Sequence, residues 1–153
     1  YDKIIAKALK RLRGGDAALL DSIAGVGPVT AAAFLAAVGD PATFGSAREA
    51  GPYFGLVPRR DQSGATDKQL RISKEGNQVV RRLLVTAANY IMGPFGKDCD
   101  LRRHGMRIAE RGGKNARKRA KVAVARKLAV VMLAILRNRT ACRPLAEDAG
   151  PVA

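Results

Sequence analysis

Gly55-Leu56-Val57-Pro58-Arg59-Arg60-Asp61-Gln62-Ser63-Gly64-Ala65-Thr66-Asp67-Lys68-Gln69-Leu70-Arg71-Ile72-Ser73-Lys74-Glu75-Gly76-Asn77 is the one long stretch of this chain that is neither apolar at helical spacing nor simply basic. Pro58 stops whatever precedes it, Ser63-Gly64 is a turn dipeptide able to take positive φ, and Leu70 to Ser73 has the extended character of a short strand. The expectation is a hairpin or loop set into the fold, with Ser63 on an exposed bend. Arg59, Arg60, Lys68, Arg71 and Lys74 are close enough in sequence to converge on one anionic group such as a phosphate. The same residues also fit a polar hairpin tip with a solvated cationic face, because such turn chemistry is common.

Upstream, residues 16–39 have the order helix, tight glycine turn, helix. Asp16 is the expected cap of Ala17 to Ile23, Ala24-Gly25-Val26-Gly27 turns, and Pro28 opens Val29 to Val38. This is a helix-hairpin-helix pattern. Gly25 and Gly27 allow a backbone to approach, and the free N–H groups around Thr30 at the start of the second helix suit a phosphate. An αα-corner that only packs has the same signature. The alanines at 31, 32, 33, 36 and 37 thin the second helix for close packing under either reading. Residues 1–15 place Ile4, Ile5, Ala8 and Leu12 on one stripe before Gly14-Gly15, as at the end of a longer helix. Asp40-Pro41 marks a break, Ser46 is a good cap for a short helix ending near Gly55, and Tyr53 is expected in the core beside Phe54.

Downstream, Asn77 starts the most amphipathic helix, with Val79, Val80, Leu83, Leu84, Ala87, Ala88 and Ile91 to one side. Arg81 and Arg82 fall off that face near the helix N-terminus, where with Asn77 they are expected to reach the same phosphate region as Arg71 and Lys74. Gly93-Pro94 ends the helix. Asp98 to Arg111 is expected to be helical, with Leu101, Met106 and Ile108 partly buried; His104 is assigned no role. Lys114 to Asn138 is split between a basic first half, where Arg117, Lys118 and Lys121 are candidate phosphate contacts, and an unbroken apolar run from Leu128 to Leu136. That run is too short to span a bilayer. Residues 139–153 lack periodicity and are expected to be a disordered tail.

Twenty-eight Lys and Arg against thirteen Asp and Glu give a net charge of +15, a field that needs a polyanion to be useful and makes nucleic acid the first partner. With 47% hydrophobic residues the chain can fill a core, and with only 5% aromatics that core must be packed from Ala, Val, Leu and Ile. Cys99, Cys142 and His104 make no zinc spacing, so no metal site is expected in the chain. A reducing cytoplasm fits the cysteines, and no membrane partner is expected. The chain begins at Tyr1 and reads as a fragment or processed form. Fold class follows as mainly α: a helix-hairpin-helix, residues 16–39, followed by a small helical bundle, residues 40–138, with an inserted β-hairpin or loop.

The run Gly55-Leu56-Val57-Pro58, then Gln62-Ser63-Gly64, then Ile72-Ser73-Lys74 with Gly76-Asn77, resembles the C-terminal transposase domain of the DEDD-type insertion-sequence transposases. That family includes the Piv-type DNA invertases and the bridge-RNA-guided recombinases. The similarity extends in matching order from about Leu20 to Pro144, including Val122 to Leu128. Two departures are local: Ser63-Gly64-Ala65 stands where the family commonly has Ser-Gly-Gly, and Leu70-Arg71 where a glycine often precedes Ile-Ser/Thr-Lys. The resemblance implies that Ser63 is a nucleophile that attacks a DNA phosphodiester and holds one end as a phosphoserine. It further implies a RuvC-like domain upstream, joined through a connector helix ending in residues 1–15, whose four carboxylates hold a divalent metal such as Mg. Homo-oligomers, DNA as partner, a bacterial nucleoid-associated location and, in one branch, a guide RNA are implied with it. Two other readings stay open on the residues alone: a non-catalytic DNA- or RNA-binding module, and a ribosome-like RNA-binding protein.

Overall fold

The computed structural model describes residues 3, 15, 16, 18–63 and 66–139, with residues 59–63 and 66–70 described by their backbone. Residues 15, 16 and 18–21 are helical, so Asp16 lies inside a helix and is not the cap that its residue type suggested. Its carboxylate is buried instead, and Oδ1 pairs at 2.8 Å with Nη1 of Arg139. Arg139, expected in the tail, thereby ties the far end of the chain to this helix; residues 140–153, Cys142 among them, lie outside the described residues. The chain then turns through Ile23 and Val26, both buried, into α1 (Pro28–Val38). Pro28 supplies the fixed φ that a first helical residue needs and lacks an N–H that would otherwise go unpaired.

Asp40 Oδ1 accepts from the Ala42 N–H at 2.9 Å and starts a 3-10 turn at Pro41–Thr43. Ser46 Oγ accepts from the Arg48 N–H at 3.2 Å and caps a second 3-10 turn, Ala47–Glu49, which runs straight into the short helix α2 (Ala50–Tyr53). An antiparallel hairpin follows, β1 (Pro58–Ser63) and β2 (Thr66–Ile72). Three longer helices complete the fold: α3 (Gln78–Met92), α4 (Asp100–Glu110) and α5 (Ala116–Asn138).

The core is built around α5. Ala120, Val124, Ala125, Leu128, Ala129, Met132 and Leu133 are fully buried, and α2, α3, α4 and both 3-10 turns pack against them. The scarcity of aromatics is met as the composition requires, by small residues that bring helix axes close. Gly105 is the sharpest case: a Cβ there would stand 2.6 Å from Val124 Cγ2 and 2.7 Å from Met92 Sδ, so α4 reaches α5 only because the side chain is a hydrogen. Phe34 of α1 packs on Phe54 with ring centroids 5.3 Å apart, joining the first helices to this core.

Tyr53 departs from its expected place. It meets Phe54 and Phe44 edge to face, but it is 45% exposed and its hydroxyl donates to the Ala37 carbonyl at 2.9 Å, which makes it a latch between α2 and α1 at the rim. α4 begins at Asp100 and not at Asp98, since Cys99 just before it has extended backbone; the Asp98 carboxylate reaches forward and accepts from Arg103 through both oxygens, at 3.2 and 3.0 Å. That guanidinium holds the Asp98 carboxyl below its usual range. Arg102 closes the opposite junction by donating to the Ile91 carbonyl at 2.8 Å at the end of α3. Among the described residues no helix is long and apolar enough to cross a membrane.

Candidate functional site

Ser63 is the last residue of β1 and pairs with Thr66, the first residue of β2, so the two close the ladder at its far end. The connection at 64–65 lies outside the described residues. Going back toward the root, the partners are Gln62 with Asp67, Asp61 with Lys68 and Arg60 with Gln69. The register then slips before Pro58 meets Ile72, and Leu70 and Arg71 together oppose Arg59. This bulge falls where the sequence departs from the glycine that often precedes Ile-Ser/Thr-Lys. Bulges bend the strand that carries them and raise its twist, which re-aims whatever lies beyond. Here that is Ser63.

The root of the hairpin is fixed by backbone, and this explains the glycines on either side of it. The Ser73 N–H donates to the Val57 carbonyl at 2.9 Å, and the Lys74 N–H to the Gly55 carbonyl at 3.1 Å. Gly55 and Gly76 have φ of 69° and 81°. A Cβ on Gly55 would run into the Glu75 backbone, and one on Gly76 into the Tyr53 carbonyl. Lys74 takes φ of 56° without being glycine, and the Glu75 N–H folds back onto Ser73 Oγ at 3.4 Å. Asn77 then caps α3, its Oδ1 accepting from the Val80 N–H at 3.1 Å. Gly55, Pro58, Ile72, Ser73, Gly76 and Asn77 are thus the parts of one joint.

The cations expected around Ser63 divide into two groups. Arg59, Arg60 and Lys68 are in the hairpin strands, and the direction of their side chains lies outside what is described. Arg71 in the bulge and Lys74 at the exit are exposed. Arg81 is brought to the same root, where Nη1 donates to the Phe54 carbonyl at 3.2 Å and to the Glu75 carbonyl at 3.1 Å. Its first engagement is therefore with the protein backbone. Sequence reasoning counted Arg126 of α5 only among the cations of the basic half-helix and did not place it here: a Cβ built on Gly51 would be 3.3 Å from its Cγ and 3.5 Å from Val57 Cγ1, so Arg126 covers α2 beside the hairpin root. The only signal in the sequence was its position just before the apolar run.

At the glycine turn the two glycines differ. Gly25 has φ of 92°, and a Cβ on it would press on Ile91 Cγ1 at 3.1 Å and Tyr90 Cδ1 at 3.2 Å, so it seats the turn on α3. Gly27, at φ −90° and ψ 177°, has nothing within 4 Å of a Cβ and precedes the N-terminus of α1, where no side chain caps the helix. Thr30 is buried, which turns its side chain inward and leaves the backbone N–H groups as the open feature of this end. On α5, Arg117 and Lys118 are exposed and Lys121 is partly so. Among the described residues no three His, Cys, Asp or Glu side chains stand together as a metal set.

Residues 17–98, which include the glycine turn and the whole hairpin, match the model of the IS116/IS110/IS902 transposase family. The chain is 35% identical over 142 residues to the transposase for insertion sequence element IS1111A of Coxiella burnetii, covering 92% of this chain and 37% of that protein. It is 32% identical over 133 residues to a probable family 20 transposase of Pseudomonas aeruginosa, covering 85% of this chain and 38% of the relative. It is also 33% identical over 123 residues to the pilin gene-inverting protein of Moraxella bovis, covering 80% of this chain and 37% of that one. The chain spans little more than a third of the length of these relatives. On these matches the chain belongs to the IS116/IS110/IS902 transposase family.

Proposed function

We propose that this chain is the serine-bearing part of a DNA transposase or site-specific recombinase, and that Ser63 is its nucleophile. The observation that carries the reading is the position of Ser63 at the closing pair of a hairpin whose root is locked by Gly55, Gly76 and Asn77. A nucleophile on an arm whose root is fixed keeps its bearing on the helices while a large substrate is moved past it. Ser63 Oγ forms an ester to a DNA phosphorus as the bond from phosphorus to the leaving sugar oxygen breaks. The hydroxyl proton departs and the leaving oxygen takes one up, and the broken bond is conserved as a phosphoserine for rejoining. Along the ladder Lys68 and Arg60 are the expected cations nearest to Ser63, and they offset the charge that develops on the phosphate oxygens; Arg71 and Lys74, at and beyond the root of the hairpin, suit the flanking phosphates instead.

Segment 55–77 contains no histidine to act as base, and a serine hydroxyl is a poor nucleophile without one, a metal or a strong local field. Among the described residues no three His, Cys, Asp or Glu side chains stand together as a set for a divalent metal. We assign those groups to a RuvC-like domain elsewhere in the full protein, in the same or a neighbouring subunit of a homo-oligomer. DNA is the substrate in this reading, and a guide RNA is a further partner that the similarity to recombinases allows.

The test compares Ser63→Ala with Thr66→Val and Ser73→Ala in the full-length protein. Ser63→Ala is expected to keep DNA binding and to abolish strand exchange, while the other two retain exchange. Retained exchange in Ser63→Ala, with DNA binding intact, would return the chain to a non-catalytic binding module.

A further inference from the structure

We propose that Arg107, Arg111, Arg126 and Lys127, gathered around His104 where α4 packs on α5, form a track for a phosphodiester backbone that runs on to the root of the Ser63 hairpin. The seam between the helices is fixed at Gly105, whose missing side chain lets Val124 approach. His104 is next to Gly105 and partly buried. Arg107 and Arg111 lie about one and two turns further along the same side of the chain, and Arg126 and Lys127 follow Val124 on the opposing helix. Burial first, and then the charges of Lys127, Arg107, Arg111 and Arg126, hold the His104 imidazole below its ordinary pKa. The close approach of Gly105 to Val124 thus sets the cations of both helices along one seam.

Like charges assembled this way repel unless something answers them. The ion pairs Asp98 with Arg103 and Asp16 with Arg139 involve none of the four. Glu110, late in α4, makes no ion pair with them among the described residues. Arg107, Arg111 and Arg126 are exposed, so a ligand has access. Arg126 gives the direction of the track, because its stem lies over Gly51 beside Val57, one residue before β1 begins. A polyanion with regularly spaced charges, following α4 and α5, would arrive at the hairpin root. A single phosphate would engage only one part of so extended a set.

This inference rests on the proposed function only for the identity of the polyanion as nucleic acid. It is tested by binding, which does not depend on Ser63. Arg107→Gln with Arg111→Gln, and separately Arg126→Gln with Lys127→Gln, are made in the intact chain. Affinity is measured against salt on two unrelated DNA duplexes and on a single-stranded RNA. Each pair is expected to lower the slope of log affinity against log salt by about 1.8 on duplex DNA or about 1.4 on a single strand, equally for both duplex sequences. The lysine versions Arg107→Lys with Arg111→Lys should restore the slope, since the charge and not the guanidinium fork is what matters along a track. Melting should be unchanged or slightly raised, because repelling charges have been removed. A loss confined to DNA or to RNA assigns the track to that polymer. Unchanged slopes on all of them, in pairs that melt cooperatively, would overturn the proposal, whereas failure of the Ser63 assignment would leave these slopes as they are.

Discussion

The Arg81 guanidinium donates to the Phe54 carbonyl at 3.2 Å and to the Glu75 carbonyl at 3.1 Å, stitching the end of α2 to the exit of the hairpin. One side chain from the first turn of α3 thus holds both sides of the joint that supports Ser63. Arg81→Met keeps much of the stem and removes the donors, leaving the partly buried Phe54 carbonyl unanswered and that of Glu75 to solvent. It is expected to destabilise the fold by about 1–3 kcal/mol in urea unfolding and to reduce strand exchange more than DNA binding.

The glycine joint itself tolerates less. Gly55→Ala and Gly76→Ala each put a methyl group into backbone at a position of positive φ. The conformation alone costs about 1–2 kcal/mol and the collision adds to it, so either substitution should lower the unfolding midpoint severely or prevent folding. A mild effect would mean that the two segments are not in direct backbone contact.

The glycine turn separates packing from binding in a pair of variants. Gly25→Ala, at φ 92° and against Ile91, should be destabilising whether or not DNA is present. Gly27→Ala has open space and an ordinary φ, so it should melt like the wild type while weakening binding about equally on unrelated DNA sequences. If Gly27→Ala binds as well as the wild type, the turn is only a packing corner.

His104 links stability to pH. Burial, then Lys127, Arg107, Arg111 and Arg126, lower its pKa in the folded chain from the ordinary 6.5. Below 6.5 the unfolded chain therefore binds more protons at this site than the folded one. The folded state loses stability as pH falls from 6.5 toward the lowered folded value, and above 6.5 the site has no effect. His104→Gln should flatten this part of the melting-temperature profile. A profile unchanged by the substitution would show that the ring is not held neutral.

How far the sequence could be read depended on the range of the interactions. α3 was legible because Val80, Leu84, Ala87, Ala88 and Ile91 recur at helical spacing and Asn77 and Gly93 bracket them, although Val79 proves 60% exposed at the edge of the stripe. The cap at Ser46 and the single long helix ending at Asn138 follow equally from local chemistry. β1 was less legible: Arg59-Arg60-Asp61-Gln62 has no strand pattern of its own and is extended through its pairing with β2. Asp16 looked like a cap, yet its partner is Arg139 at the other end of the described chain, which no local rule could find. Arg126 and Gly105 were hidden for the same reason, since their meaning lies in which helix comes to face them. Ser63 was singled out by the order of motifs around it; the spacing alone favoured a plain polar hairpin tip.

The central claim is tested most directly by trapping the protein on DNA. Full-length protein, with divalent metal and a labelled duplex carrying its recombination site, would be quenched during the reaction and the covalent adduct digested and mapped by mass spectrometry. The account predicts a phosphoester on Ser63 that is absent in Ser63→Ala. An adduct that persists in Ser63→Ala, or that maps to Thr66 or Ser73, would contradict it.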